Sequence, residues 1–149
     1  MSTLGTVNAN NVFSQVWNNL YAIVNTISDP ASRGEQWIYA AFPQETKHTA
    51  NVYPAIIIDS PDARGQNVTF THTNRFYEWN IPISIFATRM DTCDGLASTV
   101  LSTLNNNRGS LEANGMQMFN IESSPTFHTL ISNQVIHQKN INVKVVGYV

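Results

Sequence analysis

With 149 residues the chain is long enough for one domain with a buried core. Hydrophobic residues make up 42%, which argues against disorder, and a formal charge of −2 with no basic run argues against tight binding to nucleic-acid phosphates. Charged residues are only 12%, against about 25% in ordinary globular proteins, and Asn, Gln, Ser and Thr take their place. Two readings cover that scarcity. Interface cores are depleted in charge, so much of the polar surface can be one that other subunits cover. A compositional drift towards Asn and Thr gives the same numbers.

Residues 1–9 are small and polar with no period, as expected of a flexible N-terminal arm. Asn10 or Asn11 then opens a helix in which Val12, Phe13, Val16, Trp17, Leu20, Ile23, Val24 and Ile27 recur at three and four. Ser28-Asp29-Pro30 ends it after about five turns. The opposite face holds Gln15, Asn18, Asn19, Asn25 and Thr26, and no charged side chain precedes Asp29. An outer face without charge is rare on a solvent-facing helix. Gln15, Asn18 and Asn25 are therefore candidates for contacts within an assembly.

Gln36-Trp-Ile-Tyr-Ala-Ala-Phe42 has the aromatic content of a strand, and Pro43 ends it. Residues 44–51 form a polar loop with Glu45 and Lys47. Tyr53-Pro-Ala-Ile-Ile-Ile-Asp59 is a second strand, and its unbroken aliphatic run predicts a central position covered on both faces. Residues 60–65 read as a turn or loop tip with Asp62 and Arg64. Much of the scarce charge thus sits in two loops, which suits contacts with neighbouring proteins. Residues 67–73 are β-prone and suit an arm or a hairpin with the start of the next strand. That long strand, over 77–88, alternates. Trp79, Ile81, Ile83, Ile85 and Ala87 share one face; Asn80, Pro82, Ser84 and Thr88 share the other. Pro82 removes a ladder donor, so a strand edge or a bulge is expected there.

The period then changes. Behind Asp91 as N-cap, with Asp94 in the first turn, Cys93, Leu96, Ala97, Val100, Leu101 and Leu104 recur at helical spacing. Asn105-Asn-Asn-Arg-Gly109 stops the helix. A short helical turn or loop over 111–115 and a strand over 116–122 follow, and Ser123-Ser-Pro125 breaks that strand. Residues 127–133 read as linking chain. The last strand, over 134–149, sets Ile141, Val143 and Val145 on one face. Its phase slips at His137, where a bulge is expected.

No spacing of side chains predicts catalysis, a cofactor or a metal. His48, His72, His128 and His137 include no i, i+4 pair on a predicted helix. Asp91 and Asp94 are explained by helix capping. The single cysteine, Cys93, lies on an apolar helix face, has no internal disulfide partner and lacks companions for zinc. Trp17, Trp37 and Trp79 sit on apolar faces and are expected in the core. Neither a secretory signal nor a membrane span is expected. The first nine residues lack a basic stretch and an apolar run, and Ala55-Ile-Ile-Ile58 is the longest aliphatic run.

The element order is helix, strand, strand, long strand, helix, strand, strand. Three stretches carry a resemblance. They are Tyr53-Pro-Ala-Ile-Ile-Ile-Asp, Arg75-Phe-Tyr-Glu-Trp-Asn-Ile-Pro-Ile-Ser-Ile-Phe and Asp94-Gly-Leu-Ala-Ser-Thr-Val-Leu-Ser-Thr-Leu-Asn. Over residues 10–149 the chain resembles the tail terminator, or tail completion, proteins of long-tailed bacteriophages. In that family an x-Pro-Ala-aliphatic strand precedes a Tyr- or Phe-led alternating strand and then a helix ending in Leu-Asn or Leu-Asp. The second helix here carries no charge after Asp94, where relatives usually carry Glu and Arg. The resemblance implies a single α+β domain, with two amphipathic helices on one face of a mainly antiparallel sheet of about five strands. It implies a homo-hexameric ring at the tail–neck junction of a virion, assembled in the host cytoplasm. The partners implied are the tail tube protein and a neck connector, with DNA only passing through the lumen. No membrane, cofactor or reaction is implied. The candidate interface on this reading is Gln15, Asn18, Asn25, Glu45, Lys47, Asp62, Arg64 and Arg75. The alternatives are another neck or head-completion connector, and a small-ligand-binding α+β domain.

Overall fold

The computed structural model describes residues 12–32, 34, 36–40, 53–67, 75–113, 115–131 and 134–148. The arm at 1–9, the loop with Glu45 and Lys47, and both His48 and His72 lie outside them.

Helix α1 is Val12–Val24. Val16, Leu20, Ile23 and Val24 form its buried stripe. The apolar period runs on to Ile27, which is buried, but the helix is shorter than that pattern predicts. The reason is a tightened last turn. The Thr26 and Ile27 N–H groups donate to the carbonyls of Ile23 and Val24, three residues back, at 3.2 and 3.1 Å. The Thr26 hydroxyl donates to the Ile23 carbonyl as well, at 2.7 Å.

Among the described residues seven strands make one sheet, with β1 Ile38–Tyr39, β2 Ala55–Ile58, β3 Asp62–Asn67 and β4 Arg75–Ala87 in its first half. Helices α2 Met90–Asn106 and α3 Arg108–Ala113 follow, then β5 Gln117–Ser123, β6 Phe127–Ile131 and β7 Gln134–Tyr148. The order across the sheet is β1-β2-β4-β7-β5, with β3 also on β4 and β6 also on β7. Only β1–β2 is parallel. The fold is therefore α+β and mostly antiparallel, with more strands than the expected five and a third helix.

The two added strands correct the loop assignments. Residues 62–67 are not a loop tip; they pair with β4 from Asp62↔Asn80 to Asn67↔Arg75. Residues 127–131 are not linking chain; they pair with β7 from Phe127↔Gln138 to Ile131↔Gln134. Of the first predicted strand, over 36–42, Ile38–Tyr39 form β1 and 36, 37 and 40 do not; 41–42 lie outside the described residues.

β2 is buried on both faces, as its aliphatic run predicts. Trp79, Ile81, Ile83, Ile85 and Ala87 of β4 are all buried on one face. Pro82 occupies neither an outer edge nor a bulge, since the β4–β7 register runs unbroken through Pro82↔Asn142. On its other side β4 changes partner. Pairing with β2 ends at Ile83 and pairing with β3 begins at Asn80, so no strand partner lacks a donor at Pro82. Its carbonyl accepts the Asp59 N–H at 2.9 Å.

The main core lies between this face and the helices. Cys93, Leu96, Ala97, Val100 and Leu104 of α2 meet Ile81, Ile83 and Ile85 of β4 and Ile141, Val143 and Val145 of β7, with the α1 stripe and Leu111 of α3. The Trp17 indole N–H donates to the Ile58 carbonyl at 2.8 Å and ties α1 to the end of β2. A second, small cluster sits on the opposite face: Tyr53, Ile57, Phe86 and Ile136. It accounts for the phase slip near His137. Ile136 belongs to this second core while Ile141 belongs to the first; the β4 ladder is in register up to His137 and the β6 ladder runs through it without a break. The bulge lies instead in β5, between Met118 and Asn120.

Candidate assembly surface

On α1 Gln15 is half-buried and Asn18 and Ala22 are exposed; with exposed Asn25, in the turn just after the helix, they form a stripe at helical spacing without charge. Asn18 also lines a cleft of about 310 Å³ with Ser14, Trp17, Ala40, Ser60 and Pro61. Pro61 leads into β3, so the α1 stripe adjoins the base of the β3–β4 hairpin. That hairpin carries the next three candidates. Asp62 is exposed opposite Asn80, Arg64 pairs in register with Glu78, and Arg75 pairs with Asn67. Of the predicted interface residues Asn18 alone is among the described residues that line this cleft; Asp62 follows Pro61 at its rim, and Arg64 and Arg75 lie further along the β3–β4 ladder. Glu45 and Lys47 lie outside the described residues.

Asp91 and Asp94 do not cap α2. Arg89 is the N-cap residue and makes no side-chain cap bond. Asp91 sits in the first turn and accepts both the Arg89 guanidinium, at 3.0 and 2.9 Å, and the Thr92 N–H at 2.9 Å. These contacts, led by Arg89, hold its carboxyl below the usual carboxylate range. Asp94 turns towards the sheet instead. Its carboxylate accepts the Thr126 hydroxyl and, at 3.4 Å, the Lys139 ammonium. Thr126 precedes β6 and Lys139 lies in β7, so Asp94 fastens the base of the β6–β7 hairpin to α2.

The Thr126 hydroxyl, and after it the Lys139 ammonium, hold the Asp94 carboxyl below the usual range. A carboxyl held low in the folded chain adds stability above its unfolded pKa of about 3.9, and that stability is lost as pH falls through the folded value. Asp94→Asn should lower stability at neutral pH and flatten the acid limb of the stability curve. Thermal unfolding followed from about pH 7 to pH 2 checks this. An acid limb as steep as wild type would mean that the contact contributes nothing.

Cys93 is free and buried, and burial pushes its thiol up to about 11. Among the described residues no group of three or more His, Cys, Asp and Glu could hold a metal ion, and no helix is long and apolar enough to cross a membrane.

The sequence reading missed an apolar exposure on the β6–β7 hairpin, where Leu130 is 67% exposed and Val135 52%. The aromatic and β-branched content of Phe127-His-Thr-Leu-Ile131 was the available signal. His128 and His137 stand opposite each other on the same hairpin, with ring centroids 6.3 Å apart.

No family model matches the chain, and no curated protein matches it in sequence. Among solved structures, a chain of the "Virion of native gene transfer agent (GTA) particle" is similar over 89% of this chain and 94% of that one. The two are 13% identical and superpose with a TM-score of 0.56, so what they share is the fold.

Proposed function

We propose that this protein is a structural component of a phage-like virion. It forms a closed ring, most simply a hexamer, that ends the tail tube at its head-proximal end and joins it to the neck. The observation that carries the reading is the fold likeness to a virion chain across nearly the whole length of both. The order of β2, β4 and α2, with the motifs they contain, supports the tail terminator in particular. The uncharged, exposed stripe on α1 supports a subunit whose polar surface is covered by neighbours. On this reading the chain binds and positions proteins and catalyses nothing. Electron microscopy of particles made without the protein tests it. Overlong tails, or tails without heads, support the reading; tails of normal length on filled heads overturn it.

The α1 stripe has its own test. Asn18→Glu should fold, because Asn18 is exposed. It should not assemble, because an unpaired charge trapped in an interface costs about 3–5 kcal/mol. Circular dichroism and incorporation into particles report the two halves separately. Incorporation at the wild-type level would make this face ordinary solvent surface.

A further inference from the structure

We infer that the β6–β7 hairpin of one copy seats in the recess between α2 and the segment that follows α1 in the next copy. The inference rests on the ring reading and names the contact that closes it.

The hairpin projects. β4 ends at Ala87, opposite His137, so Gln134, Val135 and Ile136 of β7 run past the end of β4. Leu130 and Val135 are a directly opposed pair there, and both are exposed. Among the described residues β6 pairs with β7 alone. Free-standing proteins blunt such an edge with Lys, Pro or a bulge. Phe127-His-Thr-Leu-Ile131 has none of the three. An edge left in this state is one that the assembly covers.

The recess lies elsewhere on the same subunit. Ile27, Pro30, Leu96, Thr99 and Thr103 are among the residues that line its volume of about 550 Å³, and none of the described lining residues is charged. A charged partner segment would leave its charge unpaired there. Residues 127–135 contain no Asp, Glu, Lys or Arg, so the hairpin tip meets that condition.

Geometry selects a second copy in head-to-tail fashion. Asp94 holds the hairpin base and Thr99 lines the recess. Five residues on a helix place them about 140° apart around the α2 axis. Projection and recess therefore occupy opposite flanks of one helix, and each copy keeps one free after using the other. That is the condition for a heterologous contact, which closes into a ring when its rotation completes a circle. Leu130 and Val135 expose on the order of 200 Å² between them, well short of the roughly 800 Å² per partner of a stable isolated pair. The contact thus forms in the assembled ring rather than between free subunits.

Cysteine crosslinking tests it. A chain with Leu130→Cys and Thr99→Cys changes two exposed positions, and native Cys93 is buried and unreactive at neutral pH. Particles assembled with this chain are treated with a short bismaleimide. The expected result is a ladder from dimer up to the full ring. Each single variant alone should give no self-crosslink, and a mixture of the two should give dimers. Val135→Cys with Thr103→Cys is a second pair, independent of the first. Self-crosslinking of Leu130→Cys alone would mean that hairpins meet pairwise, and would overturn the inference. So would a crosslink from Leu130→Cys to a different virion protein. Particles that contain both double variants and show normal tails but no ladder would sink this contact and leave the ring reading standing. Absence of the unmodified protein from particles would sink both.

Discussion

Particles assembled without this protein should carry tails of broadly distributed, excessive length, or tails that never join a head. A tube built by one repeated head-to-tail contact presents the same surface after every addition, so nothing in the contact itself stops growth. A cap must bind that end and present a different surface. On the ring reading the apolar β6–β7 hairpin is taken up between copies, which leaves the polar α1 stripe beside the base of the β3–β4 hairpin for contacts outside the ring. Length distributions measured by electron microscopy check the outcome. Re-supplying the wild-type chain should restore a single length, and Asn18→Glu should not. Tails of normal length joined to filled heads in the deletion would rule the function out.

The parts of the fold that the sequence made legible are those with one buried face and a clear period. β4 alternates because the helices cover one face only, and α2 repeats at three and four because it lies on that face. The same logic explains what was hidden. A second core on the far face buries Phe86 and Ile136 out of phase with Ile85 and Ile141, and from sequence alone this resembles a bulge. β6 was hidden for a related reason. Its Leu130 is exposed, so the strand lacks the buried side that makes alternation informative. Ser132-Asn133 lacks the glycine that marks a two-residue hairpin loop, so the connection gave no signal either. β3 was hidden because Asp62-Ala-Arg-Gly-Gln-Asn67 has turn composition; its strand conformation comes from pairing along β4. The uncharged stripe on α1 was legible because it depends on composition at helical spacing alone. The exposed pair Leu130 and Val135 depends on which side chains the fold leaves uncovered, and the β-prone content of residues 127–131 signalled the strand without its exposure.

Gly147→Ala should be among the most damaging small substitutions in the chain. Gly147 is buried in β7, opposite Tyr77 of β4. A Cβ there would lie inside van der Waals contact with the Gly115 carbonyl oxygen and 3.0 Å from Cζ3 of Trp79. Neither neighbour can give way cheaply. Gly115 has φ +88 and donates its N–H to the Glu112 carbonyl at 3.1 Å, while the adjoining Met116 N–H donates to Leu111 at 2.9 Å. Trp79 is 1% exposed and packed in the main core. Relief must come from shifting β7 against the α3–β5 connection, and overpacking of this kind costs about 2–3 kcal/mol. At roughly 3 °C per kcal/mol for a chain of this size, the melting temperature should fall by about 6–9 °C. Gly95→Ala is the matched control. Gly95 is an exposed position inside α2 with nothing within 4 Å of its added Cβ. Alanine there should raise stability by about 0.5–1 kcal/mol, because glycine loses more backbone freedom on entering a helix. Calorimetry on the two variants gives shifts of opposite sign if β7 meets the α3–β5 connection as closely as described. An unchanged melting temperature for Gly147→Ala would mean that the two segments have room between them, and that the main core is looser at this end than its burial implies.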